Sequence, residues 1–384
     1  MSFYALFLFL KKVTQSYALL GDFLKKVCFF LFVFLFLFPN IVLADSGHST
    51  IVMDLNSGRI LYQNNIYQKR LIASITKIMT CILVIENKNV EEEIEVGDEV
   101  LDMYGTNIYI EPTEKIKIID LLYGLMLRSG NDAAITLAVN TAGDEEKFVQ
   151  MMNEKAQQIG MTDTTFSNPH GLDDKTYNYS TAYDMARLSQ YAYQNNLYRK
   201  IISTKKYSFQ SSKKSYLWYN RVSLLTQYSN CIGGKNGYTP KAGKTLVSVA
   251  QNNDLTLTIV SLDDSDIYKN HQNLYEKMFK QYHSYTIIDR KNFYVDSSLV
   301  SPNSLYIKNN FIYPLEENEL EHVSTLLTIY PSLRKKTAGQ IEIRLNNEVI
   351  GSVPVYEKKQ KKEDKKYSIY LFFKNIIDWI IGIN

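Results

Sequence analysis

Ala73-Ser74-Ile75-Thr76-Lys77-Ile78-Met79-Thr80 reads as the opening of a helix. Serine and lysine three positions apart share one helical face, so one amine can reach one hydroxyl. A free serine hydroxyl is a poor nucleophile at neutral pH and needs an adjacent base. Ser74 is therefore a candidate nucleophile and Lys77 its candidate base. Alone, the pair reads better as a cap residue beside a solvated amine.

Two more short patterns follow in order. Ser129-Gly130-Asn131 comes next, then Lys235-Asn236-Gly237-Tyr238-Thr239. The order S-x-x-K, S-x-N, K-x-G is the signature of penicillin-recognising serine enzymes. Longer stretches agree: Leu127-Arg128-Ser129-Gly130-Asn131-Asp132-Ala133-Ala134, Phe166-Ser167-Asn168-Pro169-His170-Gly171-Leu172, Tyr179-Ser180-Thr181-Ala182-Tyr183-Asp184 and Gly233-Gly234-Lys235. From Ser49 to Leu262 the chain resembles a low-molecular-mass penicillin-binding protein, a serine-type D-alanyl-D-alanine carboxypeptidase.

That resemblance implies an α/β fold. A transpeptidase/β-lactamase-like domain, with a mainly antiparallel sheet beside a helical lobe, would occupy residues 45–285. It also implies roles. Ser74 would attack the carbonyl between two D-alanines, aided by the positive end of its helix. Lys77 would take the proton, and must be neutral part of the time although a free lysine titrates near 10.4. Burial and a second cation, Lys235, would lower that value. Ser129 would relay the proton to the leaving amine, and Asn131 would hold both Lys77 and the substrate amide. Lys235, Asn236 and Gly237 would line the pocket for the terminal carboxylate. The backbone N–H groups of Ser74 and Tyr238 would form the oxyanion hole. The implied partners are a peptidoglycan stem peptide ending in D-Ala-D-Ala and β-lactams; no metal or organic cofactor is implied. One position departs from the pattern: Asn236 stands where the family has threonine. Its amide also donates, but from a longer, planar head.

The ends of the chain carry separate information. Lys25 and Lys26 precede an apolar run at 29–38, which Val42-Leu43-Ala44 closes with small residues. This is the build of a secretory signal peptide over 1–44, cut after Ala44; an uncleaved anchor is the alternative. The second apolar patch at 3–10 points to a true start nearer Leu24. At the other end, 358–366 holds six lysines and two acids, and 367–384 is apolar with Ser368, Lys374, Asn375 and Asp378 on one stripe. Residues 357–384 thus read as a linker and an amphipathic helix lying on the membrane's outer surface; docking on the protein's own core is the alternative. Together the two ends place the protein outside the cytoplasm, attached to the outer face of the cell membrane.

Between these ends, strands are expected at 50–54 and 59–62 around Asn56-Ser57-Gly58. Helices follow from 74 to 86 and at 116–127, 132–142, 145–159 and 181–193. Strands return at 231–234, 245–250 and 255–261, and a closing helix runs over 264–285. Short alternating segments from 286 to 356 suggest a small β-sandwich. A net charge of +3 gives no argument for nucleic acid. Cys81 and Cys231 read as small buried hydrophobes, with no metal spacing. His170 reads as a loop-ordering residue.

Three rivals remain. A class A β-lactamase would need a deacylating glutamate, but the loop at 161–175 offers only Asp163, Asp173 and Asp174. A transpeptidase or endopeptidase would share every motif. A non-catalytic wall-binding protein draws support from Asn236 alone.

Overall fold

The computed structural model describes residues 47–295, 305–330 and 337–358. The elements below belong to one compact unit that begins at His48. The signal peptide expected at 1–44 and the amphipathic tail lie outside the described residues. Among those residues no helix is long and apolar enough to cross a membrane.

The central sheet draws on both ends of the catalytic segment. β1 (Ser49–Asp54) and β2 (Ile60–Asn64) join β3 (Cys231–Thr239), β4 (Gly243–Asn252) and β5 (Leu255–Leu262) in the order β2-β1-β5-β4-β3. All pairings are antiparallel, with Val52 opposite Ile259 and Val247 opposite Lys235. β1 and β5 are buried at every position. A strand covered on both faces needs apolar residues throughout, without alternation.

One face carries α1 (Lys77–Asn87), α2 (Asn131–Ala142), α3 (Glu145–Gln158), α4 (Ala182–Tyr193) and α5 (Asn196–Ser203). Lys77 to Val84 of α1 are all buried, so α1 runs through the core. The other face is closed by α6 (Ile267–Gln281), whose Tyr275, Met278 and Phe279 pack with Leu246, Leu257 and Ile259. Within that layer Ser248 Oγ lies 2.7 Å from His271 Nδ1 and 2.8 Å from Tyr275 Oη. His271 Nε2 lies 3.0 Å from Ser261 Oγ, so the polar atoms sealed there are paired. Cys81 and Cys231 are both free thiols, buried in the cores on opposite faces of the sheet.

Several elements differ from the expectation. Ser74 lies in a 3₁₀ turn, Ala73–Thr76, ahead of the α-helix proper. The helix before Ser129 ends in a π-helical turn, Gly124–Arg128. β3 continues past Gly234 through the whole third motif. The closing helix stops at Gln281, and His283–Ile288 is a strand paired with Phe311–Leu315. A hairpin of Lys206–Gln210 and Ser215–Tyr219 fills a stretch given no element above.

Beyond α6, four strands form a second sheet: Leu305–Ile307, Glu348–Glu357, Gly339–Leu345 and Val323–Ile329. Its apolar side chains and those of the two-stranded sheet meet at Ile287, Phe311, Val323 and Ile350. Arg59, just ahead of β2, reaches this region. It makes two bonds to the Glu319 carboxylate and sits 5.3 Å from the rings of both Tyr282 and Tyr313.

Candidate active site

The site forms where the 3₁₀ turn meets the free edge of β3. Ala73 has φ +48°, a conformation rarely taken by a residue with a side chain. It turns the chain so that Ser74 is partly exposed while Ile75, Thr76 and Lys77 are buried. Two glycines allow the close packing. A methyl group on Gly171, which has φ +89°, would stand 2.1 Å from the Ala73 carbonyl oxygen. One on Gly237 would stand 2.7 Å from Ser74 N and 2.6 Å from Thr245 Oγ1. Strand and turn can therefore touch only with glycine at both places.

Lys77 is fully buried and its Nζ lies 3.1 Å from Ser74 Oγ. It also donates to Asn131 Oδ1 at 2.7 Å and to the His170 carbonyl. These partners are uncharged. Burial first, and then the charge of Lys235, hold Lys77 well below the usual lysine value; Asp132 pulls weakly the other way. Asn131 is fixed from both sides, since its Nδ2 donates to Tyr104 O at 2.8 Å and its N–H to Thr106 O at 2.7 Å.

Ser129 follows the π-helical turn in a left-handed conformation, φ +66°, and is buried. Its neighbour Asp132 accepts from the N–H groups of Ile108, Tyr109 and Ile110, anchoring the loop beside the site. The third motif lies on β3. Lys235 is buried on the helical side, and burial with the nearby Arg221 pushes it down to about 7. Asn236 points to the opposite face, as strand alternation requires, and its side chain hydrogen-bonds Tyr268 of α6. Tyr238 is 65% exposed, leaving its ring at the cleft mouth.

Sequence reading singled out Ser74, Lys77, Ser129, Asn131, Lys235, Asn236, Gly237 and Tyr238, and the fold gathers all but one where β3 meets the Ser74 turn and the loop before α2. The exception is Asn236, expected to bind substrate, whose side chain strand alternation turns away to Tyr268. It missed Tyr104, because the contact is a backbone carbonyl. His170 was noted for its loop, not for the carbonyl that meets Lys77. Its ring accepts from Leu172 N at 3.1 Å, and burial and Lys77 push it down to about 3. Arg221 carries no motif and was missed outright. The three aspartates of the 161–175 loop are engaged elsewhere. Asp163 pairs with Lys69 at 3.1 Å, Asp173 accepts from Thr239 Oγ1, and Asp174 meets the Tyr104 hydroxyl.

The family described as D-alanyl-D-alanine carboxypeptidase matches residues 42–266, which includes all three motifs and the whole central sheet. The chain belongs to the serine-type D-alanyl-D-alanine carboxypeptidases, the low-molecular-mass penicillin-binding proteins. The D-alanyl-D-alanine carboxypeptidase DacF of Bacillus subtilis is 26% identical over 359 residues, 88% of this chain and 91% of that protein. DacC of Escherichia coli is 34% identical over 250 residues, 60% of this chain and 62% of DacC. Penicillin binding protein 5 of Haemophilus influenzae shares the fold with a TM-score of 0.67 at 24% identity, over 80% of this chain and 95% of that one.

Proposed function

We propose that this chain removes the terminal D-alanine from peptidoglycan stem peptides through an acyl-enzyme on Ser74, and that β-lactams acylate the same serine. The observation that carries the reading is the buried, depressed Lys77 amine 3.1 Å from the Ser74 hydroxyl. In its neutral form Lys77 accepts the serine proton as Oγ attacks the carbonyl carbon of the penultimate D-alanine. Oxyanion charge develops against the N–H groups of Ser74 and Tyr238, aimed at the product of attack. The proton passes by way of Ser129 to the departing amine, and D-alanine leaves. Water then adds to the ester, giving up a proton to Lys77, and the shortened peptide is released as a carboxylic acid. Lys235 and Arg221 meet the terminal carboxylate, while the Asn236 side chain is held by Tyr268 on the other face of β3. The site would work outside the cytoplasm, where this substrate lies. The lysine-rich linker and amphipathic tail would hold it at the outer membrane face.

The test is covalent. Incubation with a labelled penicillin should add its mass to the peptide containing Ser74. A peptide ending in D-Ala-D-Ala should release D-alanine, and Ser74→Ala should lose both signals. A wild-type protein with neither signal would leave a wall-binding role in place of catalysis.

A further inference from the structure

β3 is an edge strand, paired on one side to β4 alone. Under the carboxypeptidase reading, on which this inference rests, an extended peptide lies along its free edge. Its carboxylate sits at Lys235, and its reacting carbonyl at the Tyr238 N–H. The peptide then runs toward Thr239. Each residue advances about 3.3 Å, so the residue before D-Ala-D-Ala arrives at the turn after Thr239, where Lys241 stands.

Lys241 is exposed. Its Nζ donates to Asp173 O at 2.8 Å and to Tyr177 Oη at 3.2 Å, and lies 4.9 Å from the centre of the Tyr177 ring. All three partners are uncharged. Among the described residues no carboxylate lies within ion-pair distance of this ammonium. The carboxylates of Asp173 and Asp174 accept from the hydroxyls of Thr239 and Tyr104, and they act on this ammonium only from beyond ion-pair distance. Tyr177 and Tyr179 are 37% and 42% exposed with ring centres 6.2 Å apart, an apolar shelf beside a held cation. A cation already oriented by neutral partners loses little freedom on meeting an anion.

We propose that Lys241, with Tyr177 as its shelf, is a substrate subsite for a carboxylate on the side chain of the residue preceding D-Ala-D-Ala. A side chain ending in an amine alone meets like charge there and is disfavoured.

The test uses Ser74→Ala, which binds without turnover, and two peptides that differ only in the third residue's side-chain end, a carboxylate or its amide. Calorimetry should find the carboxylate peptide bound about fivefold more tightly, the upper range for an exposed pair, with the difference shrinking in salt. Adding Lys241→Gln should equalise the two peptides, and Lys241→Arg should retain the preference. Equal binding in the parent, a preference that survives Lys241→Gln, or no binding of either peptide overturns the proposal. D-alanine release by the wild-type protein tests the catalytic reading separately. A binding preference without release would sink that reading and leave the subsite standing.

Discussion

Asn131 accepts a 2.7 Å hydrogen bond from Lys77 while its amide nitrogen donates to the Tyr104 carbonyl. The second bond fixes which end of the carboxamide faces the amine. Lys77 is thereby oriented by an oxygen that carries no charge and so does not hold its proton.

Replacing that oxygen by a carboxylate tests the base. Asn131→Asp should raise the Lys77 pKa by about 1–3 units. Penicillin acylation at pH 7 should fall, and the acid limb of the rate profile should move to higher pH by the same shift. A profile that keeps its acid limb would remove Lys77 from the role of base.

Lys235 sets the other limb. At about 7, it is charged below neutrality and loses its proton above. kcat/KM for a D-Ala-D-Ala peptide should therefore decline above about pH 7, as the attraction for the terminal carboxylate disappears. Arg221 helps depress Lys235, so Arg221→Ala should move this decline to higher pH. Movement in the opposite direction would contradict the electrostatic account.

Gly237 is a test of contact. A methyl group there meets Ser74 N at 2.7 Å. Gly237→Ala should slow acylation by about 10² or more, the scale of losing one oxyanion donor. The fold can give slightly at an edge strand, so the melting temperature should change by only a few degrees. Normal acylation by this variant would show that strand and turn are not held as close as described.

Two histidines, His271 fully buried and His170 mostly so, predict the acid behaviour. His170 and His271 both titrate near 3 in the fold, from an ordinary 6.5, because burial disfavours the charged ring. The unfolded chain takes up both protons near pH 6.5 and the folded chain does not until near 3. This stability is complete above 6.5 and is lost as pH falls through the window. Each ring contributes a slope of up to about 1.4 kcal/mol per pH unit. Denaturant midpoints between pH 7 and 5 should show the decline, and His271→Gln should reduce its steepness. An unchanged slope would mean His271 is hydrated.

Arg59 and Glu319 predict how the two sheet regions move. Arg59→Ala removes two charge-assisted bonds to Glu319 and one to the Pro314 carbonyl, leaving the Glu319 carboxylate with the Glu316 N–H as its partner, at a cost of about 2–3 kcal/mol. Hydrogen exchange should quicken in the strands Phe311–Leu315 and Val323–Ile329, while penicillin acylation is retained. Slowed acylation would mean that the C-terminal sheets shape the site.

The chemistry was legible because its first motif is local. Ser74 and Lys77 are three apart, and helical geometry alone brings them together. The strands 50–54 and 255–261 were legible from apolar runs beside turn residues. β3 was read too short, because Lys235, Asn236 and Gly237 are poor strand formers. Pairing with β4 and the glycine contact to Ser74 hold them extended. Tyr104 escaped notice since any residue supplies a backbone carbonyl. Arg221 was invisible for another reason: it meets Lys235 only after the hairpin at Lys206–Tyr219 folds back.

The sealed thiols have a practical meaning. Burial raises the pKa of Cys81 and of Cys231, so neither presents the thiolate that electrophilic labels and disulfide exchange require. A chain that starts at Asp45, without Cys28 of the expected signal peptide, is chemically silent toward maleimide when folded. One cysteine introduced at the rim, in place of Tyr238 or Tyr177, would carry a dye alone and report the arrival of ligand in the cleft.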